Sequence, residues 1–247
     1  MGWPSDLADA CADLLLGGCC AGCTAPGRLL CADCAAMLRG EARVAWPDPV
    51  PAGLPLPASV GAYDGPIRAI LLAHKEHARY GLHRPLGQAL AAAAALVADR
   101  AEGPDVRSVV LVPVPSRAAV VRARGHDPLL RMTRAAAVRL RAHGYRVDVL
   151  PALHQHRPPE DQAGLGSDAR TRNVAGAFAV WPRSERLLAG RRVVVTDDIV
   201  TTGATAAEAA RALRTAGAAP CGLATVAATA RWMSDFGRRL PILGSGG

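Results

Sequence analysis

The stretch Val193-Val-Val-Thr-Asp-Asp-Ile-Val-Thr-Thr-Gly-Ala-Thr205 carries the most specific signal in this 247-residue chain. Its first four residues are apolar or β-branched, the composition of a strand buried on both faces. The strand delivers two adjacent carboxylates, Asp197 and Asp198, to its carboxyl end, where open α/β sheets bind ligands. Six residues after Asp198 a helix is predicted to begin. Backbone amides around Thr202, Gly203 and Ala204 can cup a phosphate at the positive end of that helix. Gly203 allows close approach, and the hydroxyls of Thr201, Thr202 and Thr205 add donors. The loop is not a Walker loop, since it has no Gly-Lys-Ser/Thr and only one glycine. Two carboxylates beside a phosphate cup would repel a bare polyphosphate. They fit a ligand whose ribose hydroxyls they accept while the cup holds its 5′-phosphate, so the pattern specifies a phosphoribosyl group.

Outward from this stretch, strands and helices alternate. Helical spacing covers Pro66 to Glu76, and an alanine-rich helix is predicted over Pro85 to Arg100. Ser108 to Val112 reads as a buried strand ending in Pro113-Val-Pro-Ser. Asp127-Pro128 places an N-cap before a first-turn proline, opening a helix to about Ala142. Strands are predicted at Val147–Leu150, Asn173–Val180, Arg192–Thr196 and Gly222–Ala228, with a helix over Ala204–Thr215. Residues 154–172 read as a polar loop. The fold class is therefore α/β with an open, mainly parallel sheet.

Ahead of this domain lie Cys20-Ala-Gly-Cys23 and Cys31-Ala-Asp-Cys34, two CxxC pairs seven residues apart. Four thiolates at that spacing suit tetrahedral zinc, as a closed, structural site. Disulfides are the alternative, disfavoured by an odd count of seven cysteines in a chain read as cytoplasmic. Cys19 competes with Cys20, but only Cys20 keeps the CxxC spacing to Cys23. Residues 1–42 are thus expected as a zinc-binding module, 43–58 as a proline-rich linker, 59–236 as the main domain and 237–247 as a tail.

Composition excludes wholesale disorder, since half the residues are hydrophobic and one fifth charged. The longest uncharged apolar run, Ala89 to Ala98, is about half a membrane span, so no membrane insertion is expected. No basic residue precedes Arg28, so no secretory signal is read. The formal charge is +8, and between Val106 and Arg157 ten arginines face only Asp127 and Asp148. That field favours anionic partners, either a small polyphosphate or nucleic acid. Lys75 is the single lysine, which marks it as a place where a compact ammonium is required or as a surface residue.

The Asp-Asp to Thr-Thr-Gly-Ala-Thr stretch resembles the phosphoribosyl pyrophosphate motif of type I phosphoribosyltransferases. Together with the paired CxxC motifs, the Lys75 helix, Val112-Pro-Val-Pro-Ser-Arg117, Arg124-Gly125 and the Gln162 to Phe178 region, it resembles the ComF competence-protein family. The resemblance implies that Pro113, Val114, Pro115, Ser116 and Arg117 form a loop receiving pyrophosphate. It implies that Arg157, Gln162, Arg170 and Asn173 belong to a flexible loop over the substrate. It implies catalysis through Asp197, Asp198 and Lys75, with Mg²⁺ accompanying phosphoribosyl pyrophosphate and transfer to a nitrogen acceptor. The alternative it implies is a non-catalytic competence factor that binds single-stranded DNA or a DNA-uptake helicase and keeps the phosphoribosyl pyrophosphate site for regulation.

Overall fold

In the computed structural model, residues 18–77, 79–101, 107–116, 121–122, 125–156 and 174–229 are described. The central strands are β4 (Ser108–Pro113), β8 (Arg192–Thr196) and β10 (Ala219–Ala224). Successive strand residues point to opposite faces, yet Val193, Val194, Val195 and Thr196 are all buried, so both faces of β8 are covered. Adding β1 (Arg43–Val44), β2 (Pro57–Ser59) and β5 (Arg146–Val149) gives a six-stranded sheet of order β1-β2-β10-β8-β4-β5. Every pair is parallel except β1 with β2. The α/β class with an open, mainly parallel sheet is the observed one.

The register decides where the sheet's ends meet. Pro113 of β4 lies beside Thr196 of β8, and the Val114 N–H donates to the Thr196 carbonyl at 3.0 Å. On the other side the Asp197 N–H donates to the Ala224 carbonyl at 3.1 Å. The Pro113–Ser116 turn and the Asp pair are thus neighbours by strand pairing alone.

Helices α1 (Ala32–Leu38), α2 (Gly65–Glu76), α3 (His83–Asp99) and α4 (Pro128–Ala142) come before the flanking α5 (Pro182–Leu188) and α6 (Ala204–Thr215). Helices α3 and α4 cross closely because position 87 is glycine: a Cβ there would stand 2.5 Å from Ala135 Cβ and 3.0 Å from α4 backbone. Asp127 caps α4 as its sequence predicts, accepting from the Leu130 N–H. The outer edge strand β5 is blunted by Arg141, whose Nε donates to the Val147 carbonyl at 2.9 Å. Among the described residues, no helix is long and apolar enough to cross a membrane.

Three readings of the sequence differ from the structure. The run 43–58, expected as a linker, holds β1 and the start of β2 and buries Ala45, Leu54 and Ala58. Proline hides these strands, because Pro57 stands at a strand's first residue, one of the few places it is tolerated. The expected strand Gly222–Ala228 breaks at Thr225 between β10 and β11 (Ala227–Ala228). There the Val226 N–H turns to the Asp198 carbonyl, and β11 joins a second parallel sheet with β3 (Gly61–Ala62) and β9 (Ile199–Val200). The polar segment from 154 begins within strand β6 (Leu153–Gln155), which pairs with β7 (Phe178–Val180); β7 is shorter than the expected Asn173–Val180.

The β6–β7 pair is tied to α6 by a buried carboxylate. Glu208, 6% exposed, accepts from the Phe178 N–H at 3.3 Å and pairs with Arg211, which donates to the Phe178 carbonyl at 3.2 Å. Burial raises the Glu208 carboxyl, but Arg211 and the Phe178 N–H outweigh it and hold it below the ordinary glutamate value. That stabilisation is present above the unfolded glutamate pKa of about 4.3 and is lost as pH falls through the folded value. Glu208→Ala is expected to cost about 1–3 kcal/mol at pH 7 by leaving the Phe178 N–H unpaired. In urea denaturation the gap to the wild type should narrow in acid below about pH 4.

Candidate functional site

The Asp pair is held by main-chain geometry. The Asp198 N–H donates to Asp197 Oδ1 at 2.8 Å, and the Asp198 carbonyl accepts from Val226. Lys75, in the last turn of α2, places Nζ 2.8 Å from Asp198 Oδ2. Their side chains are 45% and 20% exposed, so this is a partly screened pair at a cleft's mouth. Burial pushes Asp197 well above the usual carboxylate range, and the Asp198 charge adds to it. Burial lowers the Lys75 ammonium, but Asp198 overcomes this and leaves it raised.

These groups open into a cleft of about 390 Å³. Lys75, Val114, Pro115, Ser116, Asp197, Asp198 and Thr205 all line it. Three regions singled out separately in the sequence therefore share one cavity. The turn is tied down from behind, since Ser116 Oγ donates to Asp127 Oδ1 at 3.3 Å. Pro113 is buried as the last residue of β4, outside the lining.

Thr202, Gly203 and Ala204 form the turn into α6 behind Thr205, and Thr201 is exposed. Gly203 has φ +74° and is the N-cap of α6, and the Ala204 N–H meets Thr202 Oγ1 at 3.4 Å. The glycine is required twice over. A side chain would be strained at that φ, and its Cβ would stand 2.9 Å from Leu54 and 3.2 Å from Pro51. The proline run thus packs on the back of the loop.

The rest of the lining is Leu71, His74, Pro128, Leu129 and Met132, which the sequence reading did not assign to the site. Leu71, His74 and Lys75 share one helix face at i, i+3 and i+4, so the signal was available once Lys75 was chosen. His74 is 3% exposed and bonds through Nε2 to the Pro128 carbonyl at 3.2 Å; burial lowers its pKa. Arg117, Arg157, Gln162, Arg170 and Asn173 lie outside the described residues.

A second constellation lies in the N-terminal segment. The ligand atoms of Cys20, Cys23, Cys31 and Cys34 all lie within 4.8 Å of one another. Tetrahedral zinc with thiolate bonds of about 2.3 Å needs sulfurs roughly 3.8 Å apart, so little contraction is required. Backbone N–H groups of Gly22 and Cys31 point at Cys20 Sγ at 3.4 and 3.3 Å, and that of Cys34 at Cys31 Sγ at 3.5 Å. Such donors favour thiolate and orient metal ligands. Burial raises the Cys20 thiol, but these N–H donors overcome it and bring it down to about 6; burial pushes Cys34 up. The four cysteines could hold zinc as a closed site. Cys19 is not among them: its sulfur faces Arg79.

A family model described as the phosphoribosyl transferase domain matches residues 86–232, more than half of the chain. The match includes the Pro113–Ser116 turn, the Asp pair and the Thr201–Thr205 loop, and it begins after Lys75 and the four clustered cysteines. No curated protein matches the chain.

Proposed function

Because the chain belongs to the phosphoribosyl transferase domain family, we propose that its cleft binds phosphoribosyl pyrophosphate with Mg²⁺ and transfers the phosphoribosyl group to a nitrogen acceptor. The observation that carries this reading is the convergence of Lys75, the Val114–Ser116 turn and the Asp197–Asp198 pair on one cavity at the strand ends. The 5′-phosphate occupies the Thr201–Thr205 loop at the amino end of α6, and the two carboxylates accept the ribose hydroxyls. The diphosphate lies along Val114–Ser116 and meets Lys75, whose ammonium has three N–H donors and keeps one on Asp198. Bound Mg²⁺, held mostly by substrate oxygens and water, neutralises the diphosphate charge.

In the transfer, the acceptor nitrogen forms a bond to ribose C1 as the C1–O bond to pyrophosphate breaks, its electron pair leaving with pyrophosphate. The negative Asp pair stabilises the positive charge that develops on the ribosyl group. Asp197, raised by burial, is suited to take the acceptor's proton. The cysteine module beside this domain supports the narrower reading as a ComF-type protein, acting in the cytoplasm.

The test is pyrophosphate release by the zinc-loaded protein with Mg²⁺, phosphoribosyl pyrophosphate and a panel of nucleobases. Release that depends on one base supports transfer. Donor binding without release by any base, coupled instead to single-stranded DNA affinity, rejects the enzyme in favour of a competence factor.

A further inference from the structure

The cysteine module does not merely precede the domain; it grips both ends of the helix that carries Lys75. At the start of α2, Gly22 of the first CxxC lies so close that a Cβ would stand 3.2 Å from Ile70 Cδ1 and from Pro66 Cβ. The same Cβ would stand 2.7 Å from Cys34 Sγ, so this backbone is wedged between the sulfur cluster and α2. Just beyond the end of α2, Arg79 Nη1 donates to the Cys19 carbonyl at 2.7 Å, with Nη2 3.8 Å from Cys19 Sγ. Two residues on, Leu29 crowds Gly81, where a Cβ would stand 2.7 Å from its methyl. Lys75 sits between these holds, four residues before Arg79, and its Nζ meets Asp198 across 123 residues of sequence.

The module spans few residues and cannot bury a core of its own, so its rigidity comes from the metal its sulfurs would hold. Cys19 directly precedes the ligand Cys20. Whatever fixes Cys20 therefore fixes the carbonyl that Arg79 grips, and Arg79 continues the chain from α2. A half-exposed lysine has many rotamers to lose on pairing, and only a fixed helix keeps the pair formed.

We propose that Arg79 is a positioning residue through which the occupied four-cysteine site sets α2 and holds Lys75 against Asp198. The inference rests on the reading that this cleft binds phosphoribosyl pyrophosphate, and it makes that binding depend on the metal. Positioning of this kind is a coupling between two sites, which commonly amounts to about tenfold in affinity.

Since Lys75 is the only lysine, reductive methylation with ¹³C-formaldehyde gives one lysine signal whose titration reads the Asp198 pairing without any donor. In the zinc-loaded protein that signal should titrate above an ordinary lysine. Arg79→Gln keeps all four cysteines and adds no amine. In that variant, with bound zinc confirmed by metal analysis, the midpoint should fall toward the ordinary value, and calorimetry should show donor affinity lower by about tenfold. Chelation of the wild type should move the lysine signal the same way. A lysine titration in Arg79→Gln identical to the wild type overturns the proposal. Failure of the loaded wild type to bind the donor, with the lysine signal still moving, overturns the reading of the cleft and leaves the positioning role standing.

Discussion

Asp197→Asn combined with Asp198→Asn abolishes donor binding and leaves the fold intact. Each carboxylate is expected to accept a charge-assisted bond from a ribose hydroxyl, contributing about 1.5–3 kcal/mol. Losing both weakens binding on the order of 10² to 10⁴-fold. The fold survives because the pair is held by main-chain bonds, from Asp197 N–H to Ala224 and from Val226 N–H to Asp198, which asparagine keeps. Asp197→Asn alone should raise the melting temperature at neutral pH. The wild-type carboxyl is pushed up by burial and by Asp198, so the folded state binds its proton more tightly than the unfolded state does. Its favourable contribution is present below the unfolded value of about 3.9 and is lost as pH rises through the folded value. The variant's advantage should therefore vanish in acid. Donor affinity by calorimetry and melting curves at two pH values check both parts. Unchanged affinity in the double variant would sink the ribose assignment.

Cys31→Ser is expected to release the metal and unfold the N-terminal module. The substitution removes one of the four clustered sulfurs, while serine keeps the backbone N–H that donates to Cys20 Sγ and can still cap α1 by accepting from the Cys34 N–H, so what is lost is the metal. Structural zinc supplies on the order of 10 kcal/mol of folding free energy in comparable small modules, so little of this segment should persist without it. Hydrogen exchange should show protection lost over residues 20–38 and kept in β4, β8 and β10. Metal analysis should fall from one zinc per chain to none. A wild-type protein that purifies without stoichiometric zinc would contradict the four-thiolate reading.

What the sequence disclosed depends on how local the deciding physics is. Ser108–Val112 and Arg192–Thr196 read as strands because burial on both faces leaves an unbroken apolar run. Asp127-Pro128 read as a helix start because capping is settled within four residues. The choice of Cys20 over Cys19 followed from spacing; in the structure the Cys20 sulfur lies in the four-cysteine cluster and that of Cys19 faces Arg79. Strands β1 and β2 were hidden among prolines, since their partners include β10, far along the chain. The break at Thr225 was equally invisible: its hydroxyl bonds to Ser59 and to the Ala58 carbonyl, some 166 residues away. At the candidate site, the Asp pair and the Thr201–Thr205 loop were legible as one contiguous motif. The apolar wall of Leu71, Leu129 and Met132 and the pairing of Lys75 with Asp198 were not, because each joins separate elements.

We propose the Asp197–Asp198 cleft as a phosphoribosyl pyrophosphate site. Calorimetric titration of the zinc-loaded protein with phosphoribosyl pyrophosphate and Mg²⁺ tests it most directly. Saturable binding at one site per chain is expected, on the order of micromolar (about −8 kcal/mol), and lost in the Asp197→Asn, Asp198→Asn variant. No heat of binding from the wild type, or equal binding by that variant, would contradict it.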